Sequence, residues 1–390
     1  MVQMLDSEEA ARRLGVKVQT LYSYVSRGQI SAHRGRDGRR VAFRADEIDD
    51  RARRLRGPSH AEFRVTTITT EVSRLTAEGP SYRGHPAVSL AGDTSFEEVA
   101  GLLWVTDPGP WHPKPDIVAM TARSELAARD RLRLAVVLAG ANDPMRADLR
   151  PEAVVRAGRS LIATMIASLP GPDDGRCRAD DDRPLAARLA ERLGAGQVTD
   201  QLLEAVNAIL VVQADHELAP STLAVRVAAT TRADGYDALL SGLGAISGPV
   251  HGGAADYARR LLDSAQRTGV DPALGEALRW QGSLPGFGHV DYDEGDPRFG
   301  PLMGFFERLA DADARALVGD VLARAEAQHL PLPNVDFAIG AITFAASLAP
   351  DAGETLVTIS RTAGWIAHYL EEIQETPRHI RARSVYADQP

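Results

Sequence analysis

Cysteine and lysine are almost absent from this chain, and long apolar runs are missing altogether. The one cysteine, Cys177, leaves no internal disulfide to form and excludes a zinc site made of cysteines alone. No apolar run approaches the roughly 18–20 residues needed to span a bilayer. The opening stretch MVQMLDSEEAARRLG has no apolar h-region, so no secretory signal is expected and the cytoplasm is the simplest compartment. Lysine occurs only at Lys17 and Lys114, a composition effect that carries no function. Aromatic residues make up 5% of the chain, but 44% hydrophobic and 25% charged residues are ordinary for a globular protein and exclude a wholly disordered one. A length of 390 residues suffices for two or three domains and a sizeable core.

The net charge of −9 is unevenly spread. Residues 1–57 hold 13 basic and 8 acidic side chains, and the remainder holds 31 and 45. A basic first segment on an acidic body points to two modules with different partners. Chance clustering of arginine in a short segment is the competing explanation.

The first segment reads as a small helix-turn-helix. Asp6 or Ser7 caps a helix with Glu8 and Glu9 in its first turn, and Ala10, Ala11 and Leu14 share one face. Gly15 supplies a tight turn. A second helix, roughly 17–27, buries Val18, Leu21 and Val25, and Gly28 ends it. Residues 30–34 and 39–43 flank the turn Gly35-Arg36-Asp37-Gly38 as a two-stranded ribbon, and a third helix starts near Asp46. This order resembles the excisionase and MerR-type winged helix-turn-helix modules. The resemblance implies that the second helix enters the major groove of duplex DNA with Gln19, Thr20 and Tyr22. Arg34, Arg36, Arg39 and Arg40 on the wing would meet phosphates or a minor groove. A module kept only for protein contacts or packing is the alternative.

Gly57-Pro58 marks the linker, since it breaks any helix. Beyond it the pattern is mostly helical. Ser95 with Glu98 forms a capping-box signature ahead of Leu102, Leu103 and Trp104. Helical apolar spacing recurs over 131–139, 150–169, 186–193, 198–212, 223–229 and 236–246, and over the longer stretches 308–327 and 352–373. Strand-like alternation is scarce outside 63–72. The acidic loop 171–184 lacks the closing glutamate of an EF-hand, so a solvated surface loop is expected there. Gly242, Gly244 and Gly248 do not have the spacing of a dinucleotide fingerprint.

Four polar knots interrupt this helical background. They are Asp215-His216-Glu217, Gly248-Pro249-Val250-His251, Gly286-Phe287-Gly288-His289 continuing to Asp296-Pro297-Arg298, and Pro333-Asn334-Val335-Asp336. Glycine and proline beside histidine or aspartate let backbone approach a ligand closely. Taken singly, each histidine is more often a satisfied structural residue than a catalyst. No close-spaced histidine pair such as HExxH exists, so no metal site is expected.

In order and local sequence these knots resemble the citrate synthase family. The blocks DHELAPST, GAISGPVHGGA, PGFGHVDYDEGDPR and LPNVDFAIG match its signatures, supported by SYRG at 81–84, FEEVAGLLW at 96–104, ISRTAGWIAH at 359–368 and IRAR at 380–383. The resemblance covers roughly residues 63–388. It implies a mainly α, two-domain body, the larger domain from 58–252 and 346–390 and the smaller from 253–345, behind the 1–57 winged helix-turn-helix.

The resemblance also implies a reaction, the condensation of acetyl-CoA with oxaloacetate to citrate and CoA. Asp336 matches the base that takes a proton from the acetyl methyl. His251 matches the group that stabilises the enol, and His289 the one that polarises the keto carbonyl and protonates the alkoxide. Arg298, Arg361 and Arg381 match carboxylate-binding arginines, with Arg383 competing for the last role, and His216 matches a further oxaloacetate contact. No bound cofactor is implied, acetyl-CoA being a co-substrate. A homodimer is implied, because the last arginine comes from the other subunit in this family. Propionyl-CoA and 2-methylcitrate are not separated from acetyl-CoA and citrate by sequence, since one methylene is worth only about 1–3 kcal/mol. After His289 the chain reads Val290-Asp291-Tyr292-Asp293-Glu294, where many bacterial members carry Arg-Val-Tyr. Acidic groups there would repel an anionic cofactor. A DNA-binding regulator whose synthase-derived body senses a metabolite is the second reading.

Overall fold

The computed structural model describes residues 4–14, 16, 18–26, 30–34, 41–45, 47–48, 68–122, 125–171, 179–248, 251–378 and 380. Two compact units divide the chain, one within residues 1–68 and the other spanning 69–381.

In the first unit, Asp6 caps the helix Ser7–Leu14. Its Oδ1 accepts from the backbone N–H groups of Glu8 (3.0 Å) and Glu9 (2.8 Å). A second helix runs over Val18–Ser26. Strand Val41–Arg44 is central in a small antiparallel sheet, with His33–Arg34 on one side and Met4–Leu5 on the other. The ribbon expected from the wing pattern is therefore present, joined by an N-terminal strand that two residues were too short to announce. Ala10, Ala11, Leu14, Leu21, Phe43 and Ile48 form its core. Each fully buried large side chain, such as Leu21, Phe43 or Ile48, adds about 1.5–3 kcal/mol. The expected linker at Gly57-Pro58 and the third-helix start at Asp46 lie outside the described residues.

The second unit is built around the helix Ala352–Glu372, which is buried almost all round. A helix hydrophobic on every side belongs in a core. Around it pack Phe96–Trp104, Pro151–Ala167, Asp200–Val212, Pro220–Ala229 and Gly235–Ile246. Ser95 closes the capping box expected of it, accepting from Glu98 N at 3.2 Å while its own N–H meets Glu98 Oε2 at 2.8 Å. The helices Ala254–Thr268, Val270–Gln281, Phe299–Leu309, Ala312–Ala327 and Val335–Ala345 pack on one another. They reach the rest through Asp200–Val212 and Ala352–Glu372.

Val18, expected to be buried on the second helix, is 37% exposed, and the structure also departs from the sequence pattern in the body. The stretch 308–327 is two helices, because Ala310 turns extended and Asp311 starts a new one by accepting from Ala314 N at 2.8 Å. The alternation read over 63–72 gives no strand in its described part, 68–72. Strands Ser73–Thr76, Gly79–Tyr82 and His85–Pro86 pair antiparallel in that order instead. Buried Tyr82 ties this sheet to the end of Asp200–Val212, donating to the carbonyls of Val211 (3.0 Å) or Val212 (3.1 Å). No helix among the described residues is long and apolar enough to cross a membrane.

Candidate active site

Asp336 sits in the first turn of Val335–Ala345. Asn334 starts that helix, its Oδ1 accepting from Asp336 N at 2.9 Å, while its Nδ2 donates to Gly288 O at 2.6 Å. Two further backbone bonds, Asn334 N to Gly286 O (2.8 Å) and Gly288 N to Leu332 O (2.7 Å), join the two knots into one floor. Gly286 has φ +79°, and a Cβ there would lie 2.7 Å from Phe337 Cβ, so no other residue fits without displacement. Burial raises the Asp336 carboxyl to about 6, a rise that the Arg298 cation only partly opposes.

Arg298 and Arg361 are both buried and converge on Gln213. Arg361 donates from Nε to Gln213 O (3.0 Å) and from Nη2 to Gln213 Oε1 (3.1 Å). Its Nη1 is buried with no hydrogen-bond partner. Arg298 makes a two-pronged pair with Asp296, at 2.9 Å from Nε and 2.8 Å from Nη2. Burial alone would raise Asp296, but Arg298 outweighs it and holds that carboxyl below the ordinary range. Asp296 also accepts from Val335 N at 3.0 Å, so one carboxylate fixes both the guanidinium and the Asp336 helix.

His289 and His216 lie side by side with ring centroids 5.4 Å apart, and Tyr292 stands 4.8 Å from His289. His289 Nε2 is 3.1 Å from Arg298 Nη2, and its Nδ1 is 3.1 Å from the Asp291 N–H. His216 Nε2 faces the Tyr292 hydroxyl at 3.3 Å. Burial, then the Arg298 and Arg361 cations, drives His216 far below the ordinary histidine range. Burial and Arg298 likewise lower His289, so both imidazoles are neutral.

Beneath them, fully buried Asp215 accepts from the Ser73 hydroxyl, from Glu217 N (3.0 Å) and from His368 Nε2 (3.2 Å). His368 Nδ1 in turn receives Arg226 Nη1 at 2.8 Å, and Arg226 also pairs with Glu371 and Glu372. An arginine only donates, so this chain fixes the His368 proton on Nε2.

His251 opens the turn before Ala254–Thr268, with Nε2 2.9 Å from Ser221 Oγ. Burial, with Arg361, lowers it to about 4, leaving a neutral ring.

One cavity of about 960 Å³ is lined by His216, His251, His289, Arg298, Asp336 and Arg361. Every site residue expected of the body is thus gathered, apart from Arg381 and its competitor Arg383, which lie outside the described residues. Asp215, Gln213, Ser221 and Asp296 support the site without having been singled out for it. Asp215 and Asp296 sat within the quoted knots and Ser221 within the quoted block DHELAPST; Gln213 carried no signal. In the first unit Gln19 and Tyr22 are exposed on their helix and Thr20 is half-buried, with the Tyr22 hydroxyl 2.9 Å from Ser7 Oγ. Arg36, Arg39, Arg40 and the Arg34 side chain lie outside the described residues.

A helical body with a polar cleft, in a chain that also carries a helix-turn-helix unit, is the class that fold and site define. Residues 61–383 match the family model described as citrate synthase, C-terminal domain, and residues 4–56 match that of a helix-turn-helix domain. The chain belongs to the citrate synthase family. Citrate synthase 2 of Bacillus subtilis is 27% identical over 350 residues, covering 83% of this chain and 94% of that protein. Citrate synthase of Haloferax volcanii is 29% identical over 371 residues, covering 86% and 95%. The fold is shared with citrate synthase of Thermoplasma acidophilum, solved as a ternary complex of carboxymethyl coenzyme A and oxaloacetate. That match has a TM-score of 0.70 at 22% identity and covers 85% of this chain and 96% of that one. The Pyrobaculum aerophilum citrate synthase structure gives 0.68 at 23%, covering 85% and 92%.

Proposed function

We propose that the body condenses acetyl-CoA with oxaloacetate to citrate and CoA, with propionyl-CoA and 2-methylcitrate as the alternative pair. The observation that carries this is the single cavity in which each group has the charge state its task needs. Asp336, a base made stronger than an ordinary carboxylate by burial, takes the proton on the acyl α-carbon. His251, neutral, donates to the thioester oxygen as the enol forms. The α-carbon attacks the keto carbon of oxaloacetate, whose oxygen lies between His289 Nε2 and Arg298 and takes a proton there. Arg298, Arg361 with its unanswered Nη1, and Arg381 hold the carboxylates, and His216 adds a neutral contact. Water then cleaves the thioester and CoA leaves as the free thiol. A homodimer would supply Arg381 across subunits. We place a large domain at 58–252 and 346–390, a small domain at 253–345 and a cleft between them that closes on oxaloacetate.

Thiol release with oxaloacetate and each acyl-CoA tests the reading. Turnover that disappears in Asp336→Ala and His251→Ala supports it. Oxaloacetate binding with no turnover on either donor would replace the enzyme by a metabolite-sensing regulator. The helix-turn-helix match favours a DNA-binding role beside catalysis, using Gln19, Thr20 and Tyr22 in the groove and Arg34, Arg36, Arg39 and Arg40 on phosphates, in the cytoplasm. Removing the four arginines should flatten the salt dependence of duplex binding. No retention of duplex DNA by the intact chain at low salt would end that role.

A further inference from the structure

We propose that His216, His289 and Asp291 form a binding site for a divalent transition-metal ion of the zinc class, and that an ion held there inhibits the enzyme. One nitrogen of each ring and one carboxylate oxygen of Asp291 all lie within 4.8 Å of one another. Asp291 Oδ2 is 4.0 Å from His216 Nδ1 and 3.7 Å from His289 Nδ1. A tetrahedral zinc with bonds of about 2.0–2.1 Å holds neighbouring ligand atoms about 3.3 Å apart. Contraction by at most about 1.5 Å, from the 4.8 Å limit, therefore closes the set. The Asp291 side chain is 42% exposed and has room to swing.

The His216 side of the cluster suits a metal, and the His289 side must give up a hydrogen bond to hold one. His216 Nε2 faces the Tyr292 hydroxyl at 3.3 Å, the kind of outer bond that fixes a ligand ring and turns its other lone pair to the ion. On His289 the ion would replace the hydrogen bond from Asp291 N, which now occupies Nδ1. Two imidazoles and one carboxylate select zinc, cobalt, nickel or ferrous iron over calcium and magnesium, which favour oxygen ligands. The Arg298 cation beside His289 opposes a dication, while Asp291 supplies the local negative charge. The acidic run after His289 thereby gains a task that its repulsion of anions does not explain.

The inhibitory half rests on the proposed role of His289 toward oxaloacetate; the binding half does not. Metal-free full-length protein titrated with CoCl2 alone should develop the intense visible absorption of four-coordinate cobalt. Asp291→Asn should weaken that binding at least about tenfold, and Asp291→Glu should restore part of it. No such absorption, or equal affinity in wild type and Asp291→Asn, overturns the site. In the second arm ZnCl2 slows thiol release, each variant being scaled to its own zinc-free rate. Asp291→Asn should need at least about tenfold more zinc for half-inhibition, and a chelator should restore the rate. Equal zinc sensitivity overturns the inhibitory half. A chain with no turnover fails the synthase reading, yet the cobalt arm still decides the site.

Discussion

Arg298 Nη2 and His289 Nε2 stand 3.1 Å apart, a group that only donates facing a nitrogen that can do either. On the far side of the ring the Asp291 N–H points at Nδ1, also at 3.1 Å. A neutral imidazole has one lone pair, so it answers only one of these donors. A keto oxygen arriving between Arg298 and His289 removes the conflict, because Nε2–H and the guanidinium then donate to it together while Nδ1 accepts from Asp291. Oxaloacetate should therefore fix the His289 proton on Nε2, read from 15N–1H correlations of the ring. An Nδ1-bound proton in the complex would contradict the arrangement. His289→Ala should lower kcat about 10²–10³-fold, the usual loss of one such donor.

Asp336→Asn should cost about 10²–10⁴ in turnover and make the protein more stable at neutral pH. The folded carboxyl titrates at about 6, against about 3.9 in an unfolded chain. Its contribution is thus most favourable below the unfolded value and is lost as pH rises from about 4 to about 6. The neutral amide avoids that loss, by ~1–3 kcal/mol at pH 7.5 and by almost nothing at pH 3.5. Denaturant midpoints at the two pH values decide it.

On the proposed role of Asp336, the same group should set the acid limb of catalysis. With Asp336 at about 6 and His251 near 4, kcat/KM should fall tenfold per pH unit once pH drops below about 6. A second break near 4 belongs to His251. A flat profile from pH 7 to 5 would remove Asp336 as the base.

Arg361→Lys keeps the charge but loses the planar fork that grips Gln213 and leaves Nη1 free for an anion. Its KM for oxaloacetate should rise about 10–100-fold, the worth of one or two charged hydrogen bonds. Arg298→Met should instead destabilise the fold by about 3–5 kcal/mol, because it strands buried Asp296. Kinetics and thermal melts on both variants separate the two effects.

Gly364→Ala probes the layer under His216. Gly364 N bonds to Ala214 O at 3.0 Å, and an added Cβ would overlap Asp215 Oδ1 and the Ala214 carbonyl. A loss of ~3 kcal/mol and a raised oxaloacetate KM are expected. Unchanged stability would show that the Asp215 layer yields freely.

Much of the cleft was legible because its residues sit in short glycine- and proline-marked knots. The same marks hid the helices Ala254–Thr268 and Val335–Ala345, which start directly beyond those turns. The residues of the supporting shell mostly lay in the quoted blocks, but their contacts were not legible. Asp215 and His368 meet across 153 positions. Gln213 ends an ordinary apolar helix, and Ser221 follows a proline in the opening turn of another. Nothing in local spacing encodes contacts of that range. The 308–327 pattern misled because an aspartate compatible with a helix interior serves as a cap at Asp311.

The helix Ala352–Glu372 carries Arg361, Gly364 and His368 while exposing almost no side chain to water. Drift along a lineage of such chains is therefore blocked at its centre and free at its margin, around Val290, which is 93% exposed. If the proposed reaction holds, new preferences for the acyl partner would arise at that rim, with the proposed dicarboxylate contacts inherited unchanged.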